Sequence, residues 1–60
     1  MFEPITAKQN AYLARLIVKT GKEKYLDVKR ELGLHGLTIL QLTKAQAARL
    51  IKALKNEAGQ

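Results

Sequence analysis

The sequence predicts an all-α fold: a compact three-helix domain with a ten-residue apolar connector between the second and third helices. Three observations lead there. Apolar residues recur at three- and four-residue spacing in three separate segments. Thr-x-x-Gln stands at the head of the first and third segments, and glycine follows the first and second. An extended piece between Gly33 and Leu42 would find no partner strand in so short a chain.

The first helix is expected from Thr6 to about Thr20. Thr6 and Gln9 have capping-box spacing: the hydroxyl takes the amide three residues on, and the glutamine reaches back. Gly21 is the stop. Leu13, Leu16, Ile17 and Thr20 share one face, with Tyr12 at its edge. The second helix is expected from about Lys22 to Leu32, after a gap of about two residues that forces a sharp turn. Its apolar face is Tyr25, Val28 and Leu32, flanked by Leu26. Gly33 ends it, and Leu34 is placed for the hydrophobic contact that accompanies such an end.

The connector, Gly33 to Leu42, reads as a short extended piece or a single helical turn. Its leucines are expected to plug the space between helices. The third helix opens with the box Thr43–Gln46, and Leu42 and Ala47 can staple its entry. Ala47, Leu50, Ile51 and Leu54 form its stripe; Ala48 and Ala53 beside it allow close approach. Fraying is expected from Asn56 to Gly59. Ile5-Thr6-Gln9-Leu13-Ile17 matches Leu42-Thr43-Gln46-Leu50-Leu54, which fits either a short internal duplication or, the favoured reading, the chance likeness of two capped amphipathic helices. A single domain over residues 1–60 is expected, with its ordered core at about 5–56.

Composition narrows the function. A 60-residue chain encloses a deep dry pocket with difficulty, so an enzyme is not expected. There is no Cys, hence no thiolate metal site. His35, the one histidine, stands between turn glycines without ligand partners, so neither metal nor cofactor is expected. Phosphate-loop and dinucleotide fingerprints are absent. No apolar run is long enough to span a membrane and no signal-peptide pattern is visible, which points to a cytoplasmic protein. Membrane-surface binding would use up the apolar faces that the core needs.

The net charge is +6, from eleven Lys and Arg against five Asp and Glu. Such a field favours polyanionic partners. Lys8, Tyr12, Arg15 and Lys19 recur at i, i+4, i+7 and i+11, on a stripe roughly 130° from the centre of the apolar face. From Thr6 to Gly21 there are three cations and no acid. Lys22 and Lys24 extend the charge past the turn. Lys44, Lys52 and Lys55 share an exposed side of the third helix, with Arg49 further round. Lysine and arginine neutralise phosphates, and a tyrosine among them offers a ring for a base to stack on. Glu23, Asp27 and Glu31, at i, i+4 and i+8, are expected as a solvated edge salt-paired beside Lys24 and Arg30. The helix spacings do not fit a helix-turn-helix.

Two stretches carry a family resemblance. One is Ile5-Thr6-Ala7-Lys8-Gln9 with Leu13 and Leu16-Ile17. The other is Glu31-Leu32-Gly33-Leu34, then Leu40-Gln41-Leu42-Thr43-Lys44-Ala45-Gln46-Ala47 and Leu50-Ile51 to Leu54. Over nearly all of residues 5–55 the chain resembles a small helical module of bacteriophage proteins. It is similar to the C-terminal modules of Erf-type single-strand-annealing recombination proteins and to a segment of GemA-like phage regulators. The resemblance implies a module linked to DNA recombination, repair or regulation, which either touches nucleic acid or recruits a partner such as a single-stranded-DNA-binding protein. Members often carry an acidic residue after the second cap; Ala45 and Gln46 stand here instead, which favours nucleic acid. The expected function is non-enzymatic nucleic-acid binding through a basic first helix, with recruitment of a DNA-processing protein as the alternative. DNA or RNA, single- or double-stranded, fits the charge pattern equally.

Overall fold

The computed structural model describes residues 3–59. Residues 1–2 and 60, which the single-domain expectation includes, lie outside the described residues. The elements run α1 (Ala7–Thr20), α2 (Lys22–Glu31), a single 3-10 turn over Ile39–Gln41, and α3 (Lys44–Glu57). The chain is an all-α three-helix domain.

Both expected capping boxes form. The Gln9 amide donates to Thr6 Oγ1 (3.0 Å), and the Thr6 amide donates to Gln9 Oε1 (3.1 Å). At α3 the corresponding distances are 3.1 and 2.9 Å, between Thr43 and Gln46. Thr-x-x-Gln recurs a third time, with the same spacing, at Thr38 and Gln41. There the Thr38 amide donates to Gln41 Oε1 (2.8 Å) and opens the 3-10 turn. The connector is thus helical for one turn rather than extended.

Glycine ends the first two helices in different ways. At α2 the Leu34 amide donates to the Lys29 carbonyl (2.8 Å) and Gly33 to that of Arg30 (3.1 Å), with Gly33 at φ 73. This is a Schellman end, and buried Leu34 supplies its hydrophobic contact. Gly21 alone separates α1 from α2, capping both, at φ 96 and ψ 148. A side chain there has no neighbour within 4 Å to meet. The restriction lies in the backbone, where a residue with a Cβ costs about 1–3 kcal/mol.

The two long helices start at the same end of the molecule. The Ile5 amide donates to the Leu42 carbonyl (3.2 Å), and that of Lys44 to Glu3 (2.7 Å). Gln9 Nε2 reaches across from the first turn of α1 to the Lys44 carbonyl (3.1 Å). Helix α2 therefore has to carry the chain back. It has 10 residues against 14 in α1, about 15 Å against about 21 Å. The connector supplies the remaining length, which explains why it is longer than a turn requires.

The core joins all four parts: Leu13 and Leu16 of α1, Tyr25 and Val28 of α2, Leu34 and Leu42 of the connector, Ala47, Leu50 and Leu54 of α3. Leu13, Leu42, Leu50 and Leu54 are wholly buried. Each such leucine contributes about 1.5–3 kcal/mol. The radius of gyration is 10.5 Å, against about 10.4 Å for a compact chain of this length. The charged faces therefore lie on the outside of a closed unit.

Three expectations need correction. Leu40 points out, 76% exposed, so the connector plugs the core with Leu34 and Leu42 and only partly with Leu37 and Ile39. Ala48 is exposed and takes no part in close packing; Ala53 is partly buried against the core. Helix α3 continues to Glu57 and ends on a bond from the Ala58 amide to the Leu54 carbonyl (2.9 Å), where fraying was expected.

Candidate nucleic-acid interface

Helix α1 presents Lys8, Tyr12, Arg15 and Lys19 to solvent on the side away from Leu13 and Leu16. Among the described residues, none of these three cations has a carboxylate within 4.0 Å; the two ion pairs lie elsewhere. No acid occupies the first turn of α1. Lys8 therefore adds to the positive end of the helix dipole without local compensation. By helix rise, Lys8 to Lys19 extends about 16 Å, the axial length of about five nucleotides of one strand. Tyr12, Ala14, Arg15, Val18 and Lys19 share the open outer surface of α1. Tyr12 is 39% exposed and Val18 is 85% exposed.

The remaining expected contacts divide. Lys22 opens α2 and is exposed. Lys24 is also exposed but pairs with Glu57 at 3.2 Å, because the last turn of α3 arrives beside the first turn of α2. Lys44 pairs with Glu3 at 3.5 Å, a consequence of the paired lead-ins to α1 and α3. Lys52 and Lys55 are exposed on α3, as is Arg49. Among the described residues, Lys8, Arg15, Lys19 and Lys22 thus make no ion pair, whereas Lys24 and Lys44 have partners within the fold. Surface pairs of this kind are weak, about 0–1 kcal/mol each.

The acidic edge also differs from expectation. Glu23, Asp27 and Glu31 are exposed, but among the described residues no ion pair joins them to Lys24 or Arg30. Lys24 is drawn to α3 instead.

Lys29 was not singled out in the sequence, and it is 7% exposed. Its ammonium donates to the Leu37 carbonyl and lies 5.1 Å from the centroid of the Tyr25 ring. The signal was its phase: four residues after Tyr25 and one after Val28, it falls on the core side of α2. Burial pushes the Tyr25 phenol above the ordinary tyrosine value. His35 is exposed in a turn closed by a bond from the Leu37 amide to the Leu34 carbonyl (3.2 Å). Gly36 follows it at φ 86.

Among the described residues, no cluster of three or more His, Asp or Glu is gathered as for a metal ion. No helix among them is long and apolar enough to cross a membrane. No family model, curated protein or solved structure matches this chain.

Proposed function

We propose that this domain is a non-enzymatic nucleic-acid-binding module that lays α1 along a phosphate backbone. One observation carries the reading: Lys8, Arg15 and Lys19 stand on one exposed stripe with no acid on their helix and no ion-pair partner among the described residues. A stripe of one sign is costly to leave facing itself and gains most from a polyanion. Lys22 continues it past Gly21. Lys52 and Lys55 are secondary contacts; Lys24 and Lys44 contribute only after releasing their carboxylates. Such contacts position a backbone and carry little sequence information. The resemblance to phage modules suggests DNA as the polymer, a role in recombination, repair or regulation, and a cytoplasmic setting.

Four neutralised phosphates give a slope of log K against log salt of about −3 to −4. Titration of labelled oligonucleotides at several salt concentrations measures it. Absence of binding at about 50 mM salt removes the proposal.

A second reading is recruitment of a partner such as a single-stranded-DNA-binding protein, and exposed Leu40 is the observation that favours it. Docking surfaces are contiguous apolar patches, so this reading requires Leu40 to act together with its partly buried connector neighbours Leu37 and Ile39. Replacing Arg15 and Lys19 by Glu weakens the first activity on the order of 100-fold at low salt and spares the second.

A further inference from the structure

Resting on the phosphate reading above, we infer that α1 takes an unpaired strand, with a base stacked on Tyr12 and the neighbouring phosphates on Arg15 and Lys19. Charge alone would serve a duplex equally well. The stripe on α1 does not carry charge alone. It holds a half-exposed aromatic ring, Tyr12, in register with Lys8, Arg15 and Lys19.

A duplex presents phosphates and sugars at its surface and keeps its base faces stacked on one another. Against a duplex, the Tyr12 ring would meet charged backbone and lose water without gaining a stacking partner. An unpaired strand can turn a base outward onto the ring while its backbone follows the cations. Every base has a π-face, so the contact tolerates any sequence. Tyr12 stands one turn before Arg15 and two turns before Lys19, so the two cations lie about 4.5 and 10.5 Å further along the helix, on the path of the nucleotides that follow the stacked base. Helix α3 itself carries no aromatic residue among Arg49, Lys52 and Lys55, so the strand is assigned to α1.

The test compares an oligothymidylate, which cannot pair with itself, against a blunt duplex of equal length at low salt. The single strand binds more tightly. Tyr12→Ala weakens single-strand binding about 5- to 100-fold and leaves duplex binding unchanged, while Tyr12→Phe retains both. Circular dichroism checks that the variants stay folded. A second readout uses intrinsic emission: the chain has two Tyr and no Trp, so in Tyr25→Phe the signal is that of Tyr12, and stacking quenches it. Equal or tighter duplex binding, with Tyr12→Ala harmless to both ligands, overturns the inference and leaves the phosphate reading standing. Failure of both ligands to bind removes the two together. Polyglutamate binding as tightly as the oligonucleotide, with emission unquenched, would make this face a dock for acidic peptide and overturn the inference.

Discussion

Lys19 and Lys29 are ten residues apart, and each sits in the last turn of its helix. Lys19 stands in solvent on the outer surface of α1. Lys29 is buried, its charge spread between a carbonyl and the face of a tyrosine ring. Both places suit a cation, because the carbonyl end of a helix is negative. The difference is rotational phase. Lys19 lies well round from Leu13, Leu16 and Ile17, whereas Lys29 follows Val28 and stacks over the turn that holds Tyr25. A lysine stem can cover apolar surface while its ammonium finds an acceptor. Net charge therefore overstates what this domain can offer a ligand, and Lys29 belongs to the count of groups that hold the connector.

The comparison breaks most sharply under charge reversal. Arg15→Glu with Lys19→Glu changes the stripe by four charge units and should weaken nucleic-acid binding on the order of 100-fold at low salt. Its unfolding midpoint should stay within about 0.5 kcal/mol of the parent, as for other surface changes. A large loss of stability in urea would show that the stripe serves the fold instead.

Lys29→Ala should behave in the opposite way. It leaves the Leu37 carbonyl without its donor and opens space over Tyr25, a cost of about 1–3 kcal/mol. A domain of this length has about 3–9 kcal/mol in total, so the urea midpoint moves visibly. Binding by the folded fraction should be unaffected. Retention of full stability would remove Lys29 from the structural role.

Lys24→Ala tests the middle ground. Its ion pair with Glu57 is exposed, so stability should fall by less than about 1 kcal/mol. Glu57→Ala frees the same lysine and should strengthen binding slightly if Lys24 then joins the stripe. Calorimetric affinities of the two variants measured side by side decide this; equal affinities leave Lys24 outside the interface.

The smallest effect concerns Tyr25. Its phenol is raised by burial, so the folded state favours the neutral form. Below the ordinary tyrosine value, about 10, both folded and unfolded chains carry the proton and stability is complete. As pH rises past that value the unfolded chain ionises first, and stability is lost until the folded phenol titrates too. In Tyr12→Phe the absorbance titration reports Tyr25 alone. Its midpoint should lie above about 10 and return to the ordinary value in denaturant. A midpoint already ordinary in the folded protein would contradict burial of the hydroxyl.

Much of this was legible in the sequence. The Thr6–Gln9 and Thr43–Gln46 boxes and the glycines at 21 and 33 marked helix ends to within a residue or two. A capping interaction spans only three or four residues, so it depends on nothing distant. The stripes of Leu13 and Leu16, and of Ala47, Leu50 and Leu54, followed from helix periodicity in the same way. The uniform sign of α1 was equally a property of the chain alone.

Other features required the packed molecule. Lys24 meets Glu57 and Lys44 meets Glu3 only because α1 and α3 begin at the same end. The connector turns Leu40 outward and Leu42 inward because its one helical turn has a phase that composition does not encode. Local hydrogen bonds and periodicity set where each helix begins, ends and is apolar. Which charges are left free depends on contacts between residues as far apart as Lys44 and Glu3, 41 positions, and only tertiary packing brings those together.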